Sequence, residues 1–207
     1  FPCNLPVLRD AAGVIVHTAN GDIRAGKVIV AADAWTNTLL DPLGATIPLD
    51  IMQEQVSYFR PAEPENYDRS VFPVWIWEDD ECYYGFPTFG EPSIKAARDV
   101  SENRMTPAER SFVPSPELVD QLAGFLHDVI PGAGPELRTV TCQYALTKDR
   151  RFVLSALPQH PDIIVGLAAG HGFKFTPALG RVLAELALDG VSTDDLTEFA
   201  AADAMAV

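Results

Sequence analysis

The sequence of 207 residues is poor in cysteine and in cations, and it has no long apolar run. Its cysteines, Cys3, Cys82 and Cys142, are odd in number and lack CxxC spacing, which argues against a disulfide framework or a zinc site. Fifteen Lys and Arg against 29 Asp and Glu give a net charge of −14, which disfavours nucleic acid and anionic membranes. No stretch approaches the roughly 20 apolar residues of a membrane-spanning helix. We therefore expect a cytoplasmic protein with no nucleic-acid or membrane partner and no metal.

Two further features are missing. No GxGxxG sequence follows an apolar strand, so the glycine loop that would hold a dinucleotide pyrophosphate is lacking. The first residues, FPCNLPVLRD, include neither an initiator Met nor the charged start of a signal peptide. We expect the chain to be part of a longer protein whose N-terminal nucleotide-binding segment lies outside this sequence.

The most informative stretch runs from Thr141 to Gly190. Its apolar residues alternate as far as Ala168 and then recur at helical spacing, which predicts strands followed by an amphipathic helix. The apolar face of that helix consists of Leu179, Val182, Leu183 and Leu186. We expect the helix to start within Gly170–Lys174, directly after the strand predicted at Asp162–Leu167. A glycine turn at a helix N-terminus presents unpaired N–H groups to an electron-rich or anionic ligand.

The rest of the chain predicts strands, turns and two more helices. Apolar runs separated by an Asn-Gly turn signal predict a β-meander, and Ala32-Asp33-Ala34-Trp35 then leads into a short helix ending at Leu40. A capped amphipathic helix is predicted at Ser115–Ile130. The acidic run at 78–81 is typical of a solvated hairpin tip. The meander strands are predicted at Gly13–Thr18, Asp22–Arg24 and Lys27–Ala31, and the later strands at Asp50–Arg60, Val71–Trp77, Cys82–Phe86, Ser93–Ala97 and Leu137–Leu146.

Two motifs resemble those of a known family. Cys142-Gln143-Tyr144, with Lys174 of His171-Gly172-Phe173-Lys174-Phe175 thirty-two residues after the cysteine, resembles the C-terminal part of the monomeric sarcosine oxidase and N-methyltryptophan oxidase family. These are flavoenzymes of the D-amino-acid-oxidase superfamily, and the resemblance extends from about Gly13 to about Phe199. It implies an α+β fold with an antiparallel-sheet substrate domain and its packed helix at 42–144. The C-terminal part of an α/β FAD-binding domain would occupy 1–41, with its AxAW turn, and 145–190, with the HGFKF helix, and 191–207 would be a tail.

The resemblance also implies which residues bind the flavin. Cys142 would be bonded through sulfur to the flavin 8α carbon, which requires a thiolate and therefore a positive neighbour such as the Gly170 turn. The remaining residues expected at the cofactor are Ala32, Trp35, Gly170, His171, Gly172, Phe173 and Lys174. In the family a glycine occupies the position of Asp33, so this chain departs from the pattern there.

Four residues would serve the reaction itself. Lys174 would hold the substrate carboxylate, and Lys95, eleven residues after Tyr84 of a Tyr-Gly-Phe-Pro strand, would activate oxygen. Tyr84 and Tyr144 would line the substrate pocket. In related oxidases a histidine often lies four residues beyond this lysine, where this chain has Asp99.

From the residues alone, structural alternatives stay open for each position. Cys142 could be a buried inert thiol, Lys174 a side chain that reaches solvent, and Lys95 an exposed strand lysine. His171 could have the purely structural role of capping its turn. The aromatic residues could belong to the core, which applies to Trp35, Tyr84 and Tyr144.

The resemblance implies an FAD-dependent oxidase of secondary (N-methyl) amino acids that yields an imine or aldehyde and hydrogen peroxide. Its partners would be a small-molecule amine, oxygen and the missing N-terminal FAD-binding segment. The FAD would be covalent through Cys142 in the full-length parent, whereas we expect the isolated 207 residues to lack it and to be inactive. The alternatives are another flavin amino-acid oxidase or dehydrogenase of the superfamily, or a truncated non-catalytic module without flavin.

Overall fold

A computed structural model describes residues 7–10 and 13–206, so Cys3 lies outside the described residues. Antiparallel strand pairs and helices together form the α+β class predicted from sequence. No helix in this part of the chain is long and apolar enough to cross a membrane. The strands are β1 (Val7–Asp10), β2 (Gly13–Thr18), β3 (Gly21–Ala25), β4 (Val28–Val30), β5 (Leu49–Phe59), β6 (Trp75–Glu78), β7 (Cys82–Phe86), β8 (Ile94–Asp99), β9 (Glu136–Thr147), β10 (Val153–Leu157) and β11 (His160–Leu167). The α-helices are α1 (Thr36–Leu40), α2 (Pro116–Val129), α3 (Thr176–Leu188) and α4 (Ala201–Met205).

The chain divides into two compact units. Unit one comprises Phe1–Ile51 and Tyr144–Val207, and unit two comprises Met52–Gln143. The chain therefore builds unit two as a single insertion within unit one. The predicted domains at 1–41, 42–144, 145–190 and 191–207 assign roles as well as boundaries, and they stay a prediction.

Unit one contains two three-stranded sheets. The first has the order β1-β2-β3, and the second has the order β10-β11-β4. The predicted three-stranded meander is wrong in its last strand, because β4 leaves β3 and pairs in parallel with β11. This pairing buries Val30 in a core with Ile163 and Val165. A partner more than 130 residues away leaves no signal in the local sequence, whereas the Asn-Gly turn between β2 and β3 does.

The helix α3 packs against β11 and β10, as its apolar spacing predicts. Val182 is buried, and the side chain of Leu183 lies against Gly166 of β11. The prediction that the helix starts within 170–174 is wrong, because a 3-10 turn at Phe173–Phe175 precedes it. Pro177 stands in the first turn of α3, where its fixed φ and missing N–H are best tolerated. Lys174 therefore lies in the 3-10 turn.

The predicted tail packs onto unit one. Ala201 of α4 is buried, and its backbone N–H donates to Ser155 Oγ of β10 at 2.7 Å. Arg151 forms an ion pair with Glu198 in the short 3-10 turn that precedes α4. The segment after Gly190 thus covers the β10 side of the unit-one core.

Unit two is a five-stranded sheet with the order β6-β7-β8-β5-β9, and α2 lies on one of its faces. Ser115 caps the helix by accepting from the Leu118 N–H at 3.4 Å, as predicted. The strand predicted at Val71–Trp77 is wrong in its first half, since β6 begins only at Trp75. Two backbone hydrogen bonds from Val71 and Phe72 to the Asp68 carbonyl turn the preceding segment instead.

Candidate functional site

The face of the unit-two sheet opposite α2 carries three of the side chains that the motifs point to, those of Lys95, Tyr84 and Cys142. Phe59, Ile94 and Tyr83 face the helix, where they are buried with Leu122 and Leu126. Because side chains alternate along a strand and directly opposite residues share a face, the neighbours of these three point the other way. On β9, Thr139 Oγ1 lies 2.7 Å from Oγ of Ser57, which shares the helix side with Phe59, so Val140 and Cys142 point the other way as well. We call this second surface the open face; it is formed by Tyr58, Ile76, Tyr84, Phe86, Lys95, Val140 and Cys142.

Lys95 lies in the row of the open face that also contains Tyr58 and Phe86, its partners on the two neighbouring strands. Its Nζ atom is 5.3 Å from the centre of the Phe86 ring. Tyr84 lies two residues before Phe86 on β7. Its ring packs edge-on against the Phe86 ring, with the two ring centres 6.1 Å apart. The structure therefore brings Lys95 and Tyr84 onto one half-exposed aromatic surface.

Cys142 is half-buried on β9, and its surroundings shift the pKa of its thiol. Burial raises the pKa of the Cys142 thiol, and the negative charge of Glu54 raises it further. Arg110 and Lys95 act in the opposite direction without compensating. The raised pKa follows from a half-buried sulfur whose neighbours include a carboxylate as well as two cations.

Arg110 is a residue that the motifs did not reveal. Its guanidinium donates to the Thr141 carbonyl and to Oε1 of Gln143, both at 3.3 Å, and so contacts the residues on either side of Cys142. Its Nε atom is buried without a hydrogen-bond partner among the described residues. Arg110 lies in an irregular stretch before α2, where a single cation carries no sequence signal.

Glu54 is the second residue that was missed. It is 4% exposed, and both of its carboxylate oxygens accept from the backbone N–H of Ser101 at 3.1 Å. Burial nevertheless raises the pKa of Glu54, because the loss of solvation outweighs that hydrogen bond. A signal was present, since Gln53-Glu54-Gln55 places three consecutive polar side chains in the middle of β5.

Unit one presents two turns at one edge of its second sheet. The parallel pairing of Val30 with Val165 means that β4 and β11 end at the same edge. Each strand continues through a residue with a left-handed backbone and a 3-10 turn into a helix. Ligands bind at this edge of parallel strands in many α/β proteins, because loops and helix N-termini converge there.

The turn after β4 contains Ala32, Asp33 and Trp35. Asp33 has φ of 46°, the conformation that glycine adopts most readily and that Asp tolerates. Asp33 therefore forms a left-handed turn at the position where the resemblance leads us to expect a glycine. Trp35 is 38% exposed, and Thr36 Oγ1 is buried without a hydrogen-bond partner in the described part of the chain.

The turn after β11 is tightly packed at its glycines. Gly170 has φ of 80°, and a Cβ there would lie 2.8 Å from the Tyr144 ring. A Cβ on Gly172 would lie 2.1 Å from that of Ala168. His171 packs edge-on against Tyr144 and contacts Nη2 of Arg150 through Nε2 at 2.7 Å. The close contacts explain why glycine occupies both positions.

Beyond the packed glycines, the same turn projects outward. Phe173 is 96% exposed and Phe175 is 43% exposed. Lys174 is also exposed, with Nζ 5.3 Å from the centre of the Phe175 ring, and it has no carboxylate partner among the described residues. Two aromatic rings and a cation thus lie on the surface of unit one at this turn.

Metal ligation receives no support from the geometry. Among the described residues, no group of three or more His, Cys, Asp or Glu side chains could hold a metal ion. In the acidic run at 78–81, Glu78, Asp79 and Asp80 are exposed, whereas Glu81 is paired with Arg98 at 3.0 Å.

Comparisons with known proteins give consistent results. The family model described as DAO, FAD dependent oxidoreductase, matches residues 4–186. Monomeric sarcosine oxidase from Bacillus sp. (strain B-0618) is 35% identical over 191 residues, which is 90% of this chain and 49% of that protein. N-methyl-L-tryptophan oxidase from Salmonella enteritidis PT4 (strain P125109) is 31% identical, covering 92% of this chain and 51% of that protein. The chain spans about half the length of the curated relatives it matches.

A solved structure agrees with these sequence matches. NikD, described as an unusual amino acid oxidase essential for nikkomycin biosynthesis, is 29% identical in its open form, with a TM-score of 0.78. The match covers 94% of this chain and 53% of that chain.

The environment of Cys142 gives a testable prediction about its thiol. Alkylation by iodoacetamide should increase with pH around a midpoint above the ordinary range of a cysteine, because the thiolate is the reactive form. Glu54→Gln should lower that midpoint and accelerate labelling about two- to tenfold at pH 8, since each unit of pKa changes the thiolate fraction by up to tenfold. Mass spectrometry of the Cys142 peptide measures the rate separately from the other cysteines.

Glu78→Gln is the matched control, because Glu78 is an exposed glutamate of the same unit. It should leave the Cys142 midpoint unchanged. A midpoint at or below the ordinary value, or equal shifts in the two variants, would contradict the described charge environment.

Proposed function

The chain belongs to the DAO family of FAD-dependent oxidoreductases, and from this we propose that it forms the substrate-binding sheet and flavin-facing turns of an oxidase of secondary (N-methyl) amino acids. The family confirms the relationship predicted from the C-x-Y and HGFKF motifs. The reaction and substrate class are proposals supported by the names of the relatives. The observation that carries the proposal is the grouping of Lys95, Tyr84 and Cys142 on the open face of one sheet.

The described residues fit an FAD in each unit taken separately. In unit one, two turns at one sheet edge offer Trp35, Phe173 and the exposed start of the Gly170–Phe175 segment, and the unpartnered Thr36 Oγ1 lies beside the first of them. In unit two, the open face offers a thiol, a cation and aromatic rings. An isoalloxazine ring is flat and electron-poor, so it suits contact with electron-rich aromatic rings, while N–H groups and a cation suit its polar edge.

The bound flavin would supply the oxidising power, as the two-electron acceptor for the hydride on the carbon next to the substrate nitrogen. The imine product would then hydrolyse in water. The side chains of the protein would do the rest: they would bind the substrate, orient it and exclude water from the site.

Cys142 would hold the cofactor through a thioether to the flavin 8α carbon. Burial raises the pKa of its thiol, and attachment through sulfur requires the loss of the thiol proton. Arg110 and Lys95 favour the thiolate. Arg110 also keeps the backbone on both sides of the sulfur in place through its contacts with Thr141 and Gln143. Orientation of the sulfur toward one carbon atom is what such a reaction needs most.

Lys95 would stabilise the negative charge that develops on oxygen as it is reduced to hydrogen peroxide. Its ammonium group has no carboxylate partner among the described residues, and it lies against the Phe86 ring. A cation kept free of an internal anion exerts its full field on an incoming charge.

Lys174 would bind the substrate carboxylate, and Tyr84 and Tyr144 would shape the pocket. Tyr144 is itself held against Gly170 and His171, so its ring has a fixed orientation. Ala32 and Gly172 are small enough to allow a close approach of the cofactor to the backbone of both turns.

A second candidate is oxidation of a different amino acid. It is favoured by the similarity to NikD and by Asp99, which stands on the open-face side of β8 where related oxidases often have a histidine. A carboxylate in place of an imidazole would change which substrate the pocket accepts. Activity with amino acids that lack an N-methyl group, and not with N-methyl amino acids, would favour this candidate.

The role of Lys95 tests the proposed oxidase directly. In the longer protein loaded with FAD, N-methyl amino acids should reduce the flavin, and reoxidation should yield hydrogen peroxide. Lys95→Met should slow reoxidation on the order of 100-fold, with little effect on reduction, because the lost charge acts only on oxygen. Stopped-flow absorbance of the flavin separates the two half-reactions. Lys148→Met, at an exposed turn lysine, is the control, and slowing confined to the reductive half would contradict the assignment.

Lys174 gives a prediction about substrate charge. Lys174→Ala should lower kcat/KM for N-methyl amino acids by about tenfold or more, because one charge-assisted contact is lost at an exposed site. The corresponding amines without a carboxylate should be affected far less. Steady-state peroxide assays on both classes of substrate give the comparison, and equal losses would remove Lys174 from the pocket.

A further inference from the structure

A short segment of unit one contacts both the turn after β11 and the C-terminal tail. It consists of residues 150–152, which lie between β9 and β10, and we call it the bridging segment. On the side of the turn, Nη2 of Arg150 lies 2.7 Å from Nε2 of His171. The Phe152 ring packs edge-on against the Phe175 ring, with the two ring centres 5.6 Å apart. The bridging segment therefore contacts the turn on both sides of Lys174 in the sequence.

The same segment holds the tail. Arg151 forms an ion pair with Glu198. The centre of the Phe152 ring lies 6.1 Å from that of Phe199, with an angle of 32° between the two planes. Aromatic pairs attract each other at centre-to-centre distances of about 4.5 to 7 Å. Phe152 is thus in attractive contact with one ring of the tail and with one ring of the turn.

The 3-10 turn at Phe173–Phe175 is exposed, so its order depends on side-chain contacts such as that between Phe175 and Phe152. The Phe175 N–H donates to the Gly172 carbonyl at 2.9 Å, and the Thr176 N–H donates to the Phe173 carbonyl. Backbone hydrogen bonds in exposed turns open at low free-energy cost. Phe175 is 43% exposed, and Phe152 covers part of the remainder.

Lys174 depends on the same ring. Its Nζ atom lies 5.3 Å from the centre of the Phe175 ring. A lysine side chain has many conformations, and fixing it when a ligand binds is entropically unfavourable. A Phe175 ring that is held by Phe152 restricts both the backbone at Lys174 and the position of its ammonium group.

We infer that the C-terminal tail orders the turn that carries Lys174, with Phe199 and Phe152 as positioning residues. Its consequence for the substrate rests on the proposed function, because it assumes that Lys174 binds the substrate carboxylate. The contacts themselves all lie in unit one and involve no flavin. A binding group that is already in position loses less conformational entropy when its ligand arrives. The segment after Gly190 therefore contributes to substrate affinity, although its residues lie outside the turn.

Hydrogen exchange of the full-length protein tests the ordering, with mass spectrometry of peptides that cover 173–176. Phe199→Ala should raise exchange of the Phe175 and Thr176 amides about two- to tenfold, because one aromatic pair is lost. Phe199→Tyr should leave exchange unchanged, since it keeps the ring. Phe199→Leu keeps an apolar side chain without a ring; it should raise exchange in the same direction and serves if the alanine variant does not fold.

Met205→Ala is the matched control, because it weakens the packing of the same tail at another place. Met205 lines a cavity with Leu157, at the opposite end of β10 from Phe152. This variant should leave exchange at 173–176 unchanged. Unchanged exchange in the Phe199 variants that lack a ring, or an equal rise in Met205→Ala, would overturn the inference.

Steady-state kinetics of the full-length protein loaded with FAD test the consequence for the substrate. Phe199→Ala should raise KM for N-methyl amino acids about two- to tenfold with kcat unchanged, because a weaker carboxylate contact affects bound substrate and transition state equally. Amines without a carboxylate should keep their KM. In a Lys174→Ala background, Phe199→Ala should add no further loss, since both variants remove the same contact.

The two experiments separate failure of this inference from failure of the proposed function. A lower kcat for both classes of substrate in Phe199→Ala would indicate a general loss of structure and would overturn the inference. Equal losses for both classes in Lys174→Ala would contradict the proposed role of Lys174 instead. The exchange of the Phe175 and Thr176 amides would then still decide whether the tail orders the turn.

Discussion

The packing of α2 on one face of the five-stranded sheet is the constraint on which the candidate site depends. Once Phe59, Tyr83 and Ile94 are buried beneath the helix, period-two geometry directs their neighbours to the opposite surface. Lys95, Tyr84 and Cys142 therefore share the open face. A slip of one residue in the pairing of β7, β8 or β9 would point one of these three side chains to the helix side of the sheet. Burial of the helix side therefore also fixes which side chains lie on the open face.

A second constraint operates in unit one, where β4 pairs in parallel with β11. The two turns that follow these strands reach the same sheet edge although Trp35 and Phe173 are far apart in sequence. Both turns pass through left-handed residues, at Asp33 and Gly170, and both expose aromatic side chains. Unit one thus presents backbone turns with aromatic rings, whereas unit two presents a thiol and a cation on its open face.

Sequence reasoning succeeded where the information is local. The alternation of β7 and β8, the capped helix α2 and the C-x-Y and HGFKF motifs are all visible in short windows of sequence. It failed where the decisive partner is distant, as for β4, or where a hydrogen-bonded turn overrides strand propensity, as before Trp75. The contacts of Arg110 with Thr141 and Gln143 depend on a loop without periodicity. The raised pKa of Cys142 depends on burial first and on the charge of Glu54 second, and both arise only in the folded sheet.

The central claim is that Cys142 on the open face holds the flavin. Acid precipitation of the full-length protein, followed by the absorbance of pellet and supernatant, measures this directly. The account predicts that flavin stays with the pellet for the wild type and for Cys82→Ser, and moves to the supernatant for Cys142→Ser. Flavin retained in the Cys142→Ser pellet, or released from the wild type, would contradict it.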